Sequence, residues 1–160
     1  MSASQAQLAE LYHRDLSRLV RQIEAFPSDE MLWQTTPGVT NSAGTLALHL
    51  EGNLREYIGR LLGGIAFARD RDSEFSARGL SRAGLAARLK QLSEVIPPVV
   101  AALSPEAMEA EYPQVVLQKP LTTAAFLVHL YGHLNWHLGE LDYLRRFLSG
   151  QSALPRPTRA

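Results

Sequence analysis

Leucine recurs at positions 127, 130, 134, 138, 141, 144 and 148 of this chain. Steps of three and four place all of these side chains along one side of a helix, whereas a strand would send them to both faces. A stripe this long cannot stay in water, so the helix needs other helices to cover it. Three further stretches carry the same period. One runs from about Gln5 to Ala25, with Leu8, Leu11, Tyr12, Leu16, Leu19, Val20 and Ile23 inward. A second runs from about Ala43 to Leu62 through Leu46, Leu50, Leu54, Tyr57, Ile58 and Leu61, and a third follows Ser81 through Leu85, Leu89, Leu92, Ile96, Val99 and Leu103. Four helices with little strand signal predict an all-α, antiparallel-type four-helix bundle.

The punctuation fits that reading. Phe26-Pro27-Ser28-Asp29 stops the first helix, Asn41 or Ser42 caps the second, and Gly63-Gly64 ends it. Pro97-Pro98 falls inside the third apolar stripe; two missing backbone donors predict a kink or a break there. Ser104-Pro105-Glu106 opens a short helical turn, and residues 111–120 look extended. Arg69-Asp70-Arg71-Asp72 alternates in sign and reads as a solvated connection. The fourth helix starts near Thr122 or Thr123 and ends near Ser149-Gly150. Residues 1–150 are expected to form one domain, with 151–160 a frayed tail.

Sixteen basic residues balance sixteen acidic ones, so no net field draws the chain to nucleic acid or an anionic membrane. No apolar run approaches the ~20 residues that span a bilayer, and the amino terminus lacks the pattern of a signal peptide. A cytoplasmic location is the expectation. The chain has no cysteine, so a metal site here would use nitrogen and oxygen donors.

Such donors are available. His129, His133 and His137 lie on consecutive turns of the fourth helix, and i, i+4 spacing brings rings onto one face. At about 100° per residue, His137 lies roughly 40° from the centre of the leucine stripe, His133 roughly 80° and His129 roughly 120°. His133 and His137 therefore point inward along one edge, with Glu140 beside them, and His129 sits at the boundary. On the second helix His49 aligns with Asn53, Glu56 and Arg60 as a polar seam. If that seam faces the histidine edge, imidazoles from two helices converge inside the bundle. Three neutral nitrogens with an open position are the arrangement of catalytic metals, not of closed structural ones.

Competing motifs are absent. Leu134 follows His133 where a zincin has Glu, and Leu130 and Leu134 stand where a di-iron bundle needs Glu. There is no Gly-rich phosphate loop and no Gly-x-Ser-x-Gly elbow.

At these residues the chain resembles the DinB-like (YfiT-like) family of metalloenzymes. The run from Pro37 to Leu50, carrying His49, is similar to the family's first ligand segment. His133-x-x-x-His137-x-Gly139 is similar to its closing segment. The resemblance implies a four-helix bundle with His49, His133 and His137 as ligands of a divalent ion. Nickel or zinc is the first expectation, with iron, manganese or copper as further options. It also implies a homodimer. Relatives include thiol transferases and isomerases that use bacillithiol or mycothiol, and domains of ergothioneine-forming sulfoxide synthases. Here Gly139-Glu140 replaces a frequent Gly-Gln pair, and Leu138 a frequent Arg.

The expected function is therefore a metal-dependent enzyme acting on a small-molecule substrate. It would be a hydrolase, or a transferase of low-molecular-weight thiol adducts. Glu140 and Glu56 are the candidate proton carriers, or partners that fix an imidazole tautomer. The alternative is a non-catalytic, metal-binding or dimeric helical module.

Overall fold

A computed structural model describes residues 3–155. Its long helices are α1 (Ala3–Glu24), α3 (Ala43–Leu54), α5 (Arg82–Ala102) and α7 (Thr123–Ser149), with short helices α2 (Asp29–Leu32), α4 (Arg71–Ser76) and α6 (Pro105–Glu109) between them. No strand forms among the described residues; the 111–122 segment holds only two isolated antiparallel bridges, Glu111 to Thr122 and Val116 to Lys119. The four long helices pack in the cyclic order α1, α5, α3, α7, which makes the predicted four-helix bundle.

Helix starts follow side-chain chemistry. Ser42, Ser81, Ser104 and Thr122 each accept a bond from the backbone N–H three residues on, satisfying a donor that the first turn cannot. At the other end of α7, Gly150 adopts φ 69°, the left-handed conformation that terminates a helix at little cost to glycine.

Three departures from the sequence reading have physical causes. Of the kink or break expected in α5, the break does not occur: the helix runs through Pro97 and Pro98 to Ala102, with Ile96, Pro97 and Val100 buried in the bundle. Tertiary packing there outweighs two lost donors. The second helix changes character after Leu54, where Arg55–Arg60 widens into a π-helical turn. Leu61 N donates to Glu56 O at 3.2 Å and Gly63 N to Ile58 O at 3.0 Å, both five residues back. An inserted residue of this kind rotates the downstream side chains by about 100° and often marks a functional region. Finally, α3 is not amphipathic. All its residues from Ala43 to Leu54 are buried, because α1, α4, α5 and α7 enclose it.

Buried polar ties fix the helices against each other. Asp15 on α1 is fully buried and accepts bonds from Arg14, Arg18 and Tyr131 Oη, the last at 2.6 Å. Arg145 on α7 is equally buried and donates to Gln22 Oε1 at 2.7 Å and Ser152 O at 3.0 Å. The latter bond holds part of Gln151–Pro155 although that segment has no regular structure. Residues 156–160 of the expected tail lie outside the described residues. No described helix is long and apolar enough to cross a membrane.

Leu16 is fully buried on α1, among the residues of the main core. Leu16→Ala should lower the unfolding free energy by about 2–5 kcal/mol in a urea titration. A loss below about 1 kcal/mol would contradict that packing.

Candidate metal centre

The enclosure of α3 decides where His49 can point. Its ring, 8% exposed, reaches across to α7 and meets His133 and His137 edge-on, with ring centroids 5.1 and 5.4 Å away. The Nε2 atom of His133 lies 3.3 Å from Nε2 of His49 and 3.1 Å from Nε2 of His137. One ligand atom from each residue falls within 4.8 Å of the others. The bundle thus brings together the three histidines that the sequence selected.

Outer contacts assign the tautomers. His49 Nδ1 is 3.0 Å from Glu74 Oε2, and His137 Nδ1 is 2.7 Å from Glu140 Oε2. A carboxylate can only accept, so each Nδ1 carries the proton and each Nε2 presents a lone pair inward. Glu140 also accepts from Trp136 Nε1 at 2.8 Å. Burial, and then the neighbouring His137 and His49, push His133 down to about 4. Burial likewise lowers His49, against the pull of Glu74. At neutral pH both rings are uncharged, the state a metal needs.

These distances fit a divalent cation. Two nitrogens bound tetrahedrally at about 2.0–2.1 Å from one ion stand about 3.3 Å apart. Protons alone satisfy the cluster less well. With two Nε2 atoms already acceptors, His133 Nε2 has one proton to give and two lone pairs to face. The all-nitrogen donor set suits zinc, nickel, copper or iron better than magnesium or calcium.

Glu74 is the residue that sequence reasoning missed. It is 6% exposed, bridges His49 and Arg69, and takes two bonds from that guanidinium, at 2.6 and 2.9 Å. The expected solvated run is therefore half structural. Arg69 is partly buried beneath the site, and Asp70 caps α4 by accepting from Ser73 N at 3.0 Å. The signal was the Asp70-x-x-Ser73 cap, which predicts a helical turn, and Gly52 on the ligand helix. A Cβ at position 52 would overlap the Glu74 carboxylate.

The remaining candidates differ in their distance from the centre. Glu140 reaches it through His137. Glu56, in the π-helical turn, pairs with Arg60, with Nε to Oε2 at 2.8 Å, and no histidine bonds to it among the described residues. His129 stands outside the donor cluster, exposed and stacked on Phe126 at 5.8 Å. It lines, with Gly132, His133, Trp136 and His137, an open depression of about 550 Å³ through which the centre meets solvent. A second groove of about 660 Å³ lies on the side of Glu140, between Pro37, Val39, Leu46, Tyr143 and Phe147.

Fold and site together define a helical bundle with an inward-facing three-histidine cluster able to hold a metal ion. Residues 4–153 match the family described as "Protein of unknown function (DUF1572)". The chain belongs to that family, which is DinB-like. Among solved structures it is similar to a DinB-like protein from Bacillus cereus ATCC 10987, at 14% identity and a TM-score of 0.71, over 93% of this chain and 95% of that one. It is also similar to the DinB-like protein YjoA from Bacillus subtilis, at 17% identity and a TM-score of 0.69, over 96% of this chain and 99% of that one. Both likenesses concern the fold. No curated protein matches the chain.

The lowered His133 has a consequence for stability. Between its ordinary value of 6.5 and about 4, the folded protein binds fewer protons at this ring than the unfolded chain does. Stability is therefore lost as pH falls through that window. For metal-free protein, the urea midpoint should drop from pH 6.5 downward, and His133→Gln should flatten the onset of that drop. An identical pH profile in both proteins would show that His133 is not its source.

Proposed function

We propose that the protein is a divalent-metal-dependent enzyme whose ligands are His49, His133 and His137. The convergence of three Nε2 atoms at one point, open to solvent on the α7 side, carries this reading. Zinc or nickel is the proposed ion. When bound, it would act as a Lewis acid toward a substrate or thiol oriented at its open position.

The chain's own residues have defined tasks. Glu74 and Glu140 hold the Nδ1 protons of His49 and His137, fixing both rings and raising their basicity. Arg69 holds Glu74 in its buried place with two hydrogen bonds. Trp136, 71% exposed beside the depression, offers an apolar wall to a small molecule. No side chain here supplies a thiol nucleophile, since cysteine is absent. A thiol-transfer reaction must draw its sulfur from a low-molecular-weight thiol. The proposed chemistry is accordingly hydrolysis, or transfer involving such a thiol's adducts, and the cysteine-free composition fits a cytoplasmic setting.

A second reading rests on the outer face of α7. Val128, Trp136, Tyr143 and Phe147 are exposed large apolar residues at helical spacing. Such a stripe fits contact with a second copy of the chain, making the protein a homodimer with or without catalysis.

Elemental analysis of protein purified without an affinity tag should find close to one ion per chain. His133→Ala should abolish retention, and His129→Ala should weaken it far less; equal loss in both would refute the ligand assignment. Stoichiometric metal without turnover across a panel of thiol adducts and hydrolase substrates would favour the binding module. Glu140→Gln with unchanged metal content and unchanged rate would remove Glu140 from the mechanism.

A further inference from the structure

Two of the three ligand histidines have an outer partner, and the third does not. His133 Nδ1 is shielded from solvent and meets no hydrogen-bond partner among the described residues. A ligating imidazole ordinarily gives its remote N–H to an acceptor, and a buried polar atom left unpaired needs an explanation. The same condition recurs on α3. Asn53 is 8% exposed and its Oδ1 also lacks a partner among the described residues. The other buried polar side chains of that helix are engaged: Thr45 with Ser42, His49 with Glu74, and Glu51 with Arg55 and Arg88.

By helical register the two orphans lie on neighbouring turns of the seam between α3 and α7. Helices α3 and α7 run antiparallel, since His49 meets His133 at 5.1 Å and Tyr57 meets Phe126 at 5.5 Å. Asn53 lies midway between His49 and Tyr57, one turn from each, on the side of α3 that carries His49 toward α7. Midway between Phe126 and His133 on α7 is the turn at 129–130. Asn53 therefore stands beside the turn next to His133, on the side away from His137. Their chemistry is complementary as well. With a metal ion at the centre, His133 Nε2 would give it a lone pair, so Nδ1 would carry the proton and donate, while a carbonyl oxygen can only accept.

We propose that Asn53 is the positioning partner of His133, its Oδ1 receiving the Nδ1–H through one bridging water. A buried water holds its place when polar atoms on two sides bind it, which this pair supplies. The inference rests on the metal reading above. It also assigns an order to the ligands. His49 and His137 lean on carboxylates, which raise their donor strength; His133 leans on a neutral amide and is the weakest donor of the set.

The test uses the full chain, freed of metal and titrated with zinc by calorimetry. Histidine tautomers are read by long-range proton–nitrogen NMR in the zinc-loaded protein. Asn53→Leu keeps the volume and removes the acceptor. It should weaken zinc binding by roughly 10- to 100-fold and expose the His133 Nδ1–H to rapid exchange. Asn53→Asp keeps the acceptor and should bind zinc at least as tightly as the natural protein, with the His133 Nδ1 signal shifted by the added charge. Zinc affinity within about twofold and an unaltered His133 signal in Asn53→Leu would overturn the proposal, while loss of zinc in His133→Ala would leave the metal reading standing. If Asn53→Leu does not fold, the Asp variant decides: an unshifted His133 signal overturns the assignment. A natural protein that takes up no zinc would overturn the metal reading and this inference with it.

Discussion

The contact on which the site depends is the bond from His49 to Glu74, made inside the protein and not at its surface. A histidine on a helix enclosed on all sides has no water to take its Nδ1 proton. An ionised carboxylate brought there without a counter-charge would cost several kcal/mol. Arg69 supplies that counter-charge with two parallel bonds, and Gly52 supplies the space. Segment, cap and glycine therefore act as one unit. Asp70 starts α4, α4 carries Glu74 inward, and the shallow surface of α3 at Gly52 lets the carboxylate lie against the ligand helix.

On α7 the problem is solved differently because the helix has an outer face. His137 and Glu140 are three residues apart, so their bond is local and needs no second element. Trp136 braces the same carboxylate from the exposed side. One ligand is thus set by tertiary structure and another by the geometry of a single helix. His133, between them, depends on both helices.

Much of this was legible in the sequence, for reasons that differ residue by residue. The leucine period of α7 fixes which way His133 and His137 face, because a helix repeats the same angle at every step. Helix starts at Ser42, Ser81 and Thr122 were readable because their caps are local bonds. Which of a kink or a break would occur at Pro97-Pro98 was not, since the helix continues there through packing around Ile96 and Val100 and no local rule reports that. Glu74 was hidden for a related reason. Among Arg69, Asp70, Arg71 and Asp72 it looks like one more solvated charge, and only the fold places it under His49. Glu56, which straight helical counting aligns with His49 and Arg60, pairs with Arg60 where the helix widens into its π-helical turn.

The three clustered histidines are also unequally buried. His49 is almost wholly enclosed, whereas His133 and His137 are half-buried beside Gly132 and Trp136. On the α3 side His49 is covered by Glu74 and Phe75, and the open depression lies on the α7 side. There the backbone at Gly132 presents no side chain and Trp136 presents a broad apolar plane. Under the proposed function, an open position bordered in this way would admit a flat or apolar group more readily than a heavily hydrated one, because little polar surface is available to replace lost water. The aromatic wall and the enclosed ligand are consequences of one arrangement, in which the innermost helix of the bundle gives a single histidine and the outer helix gives the rest.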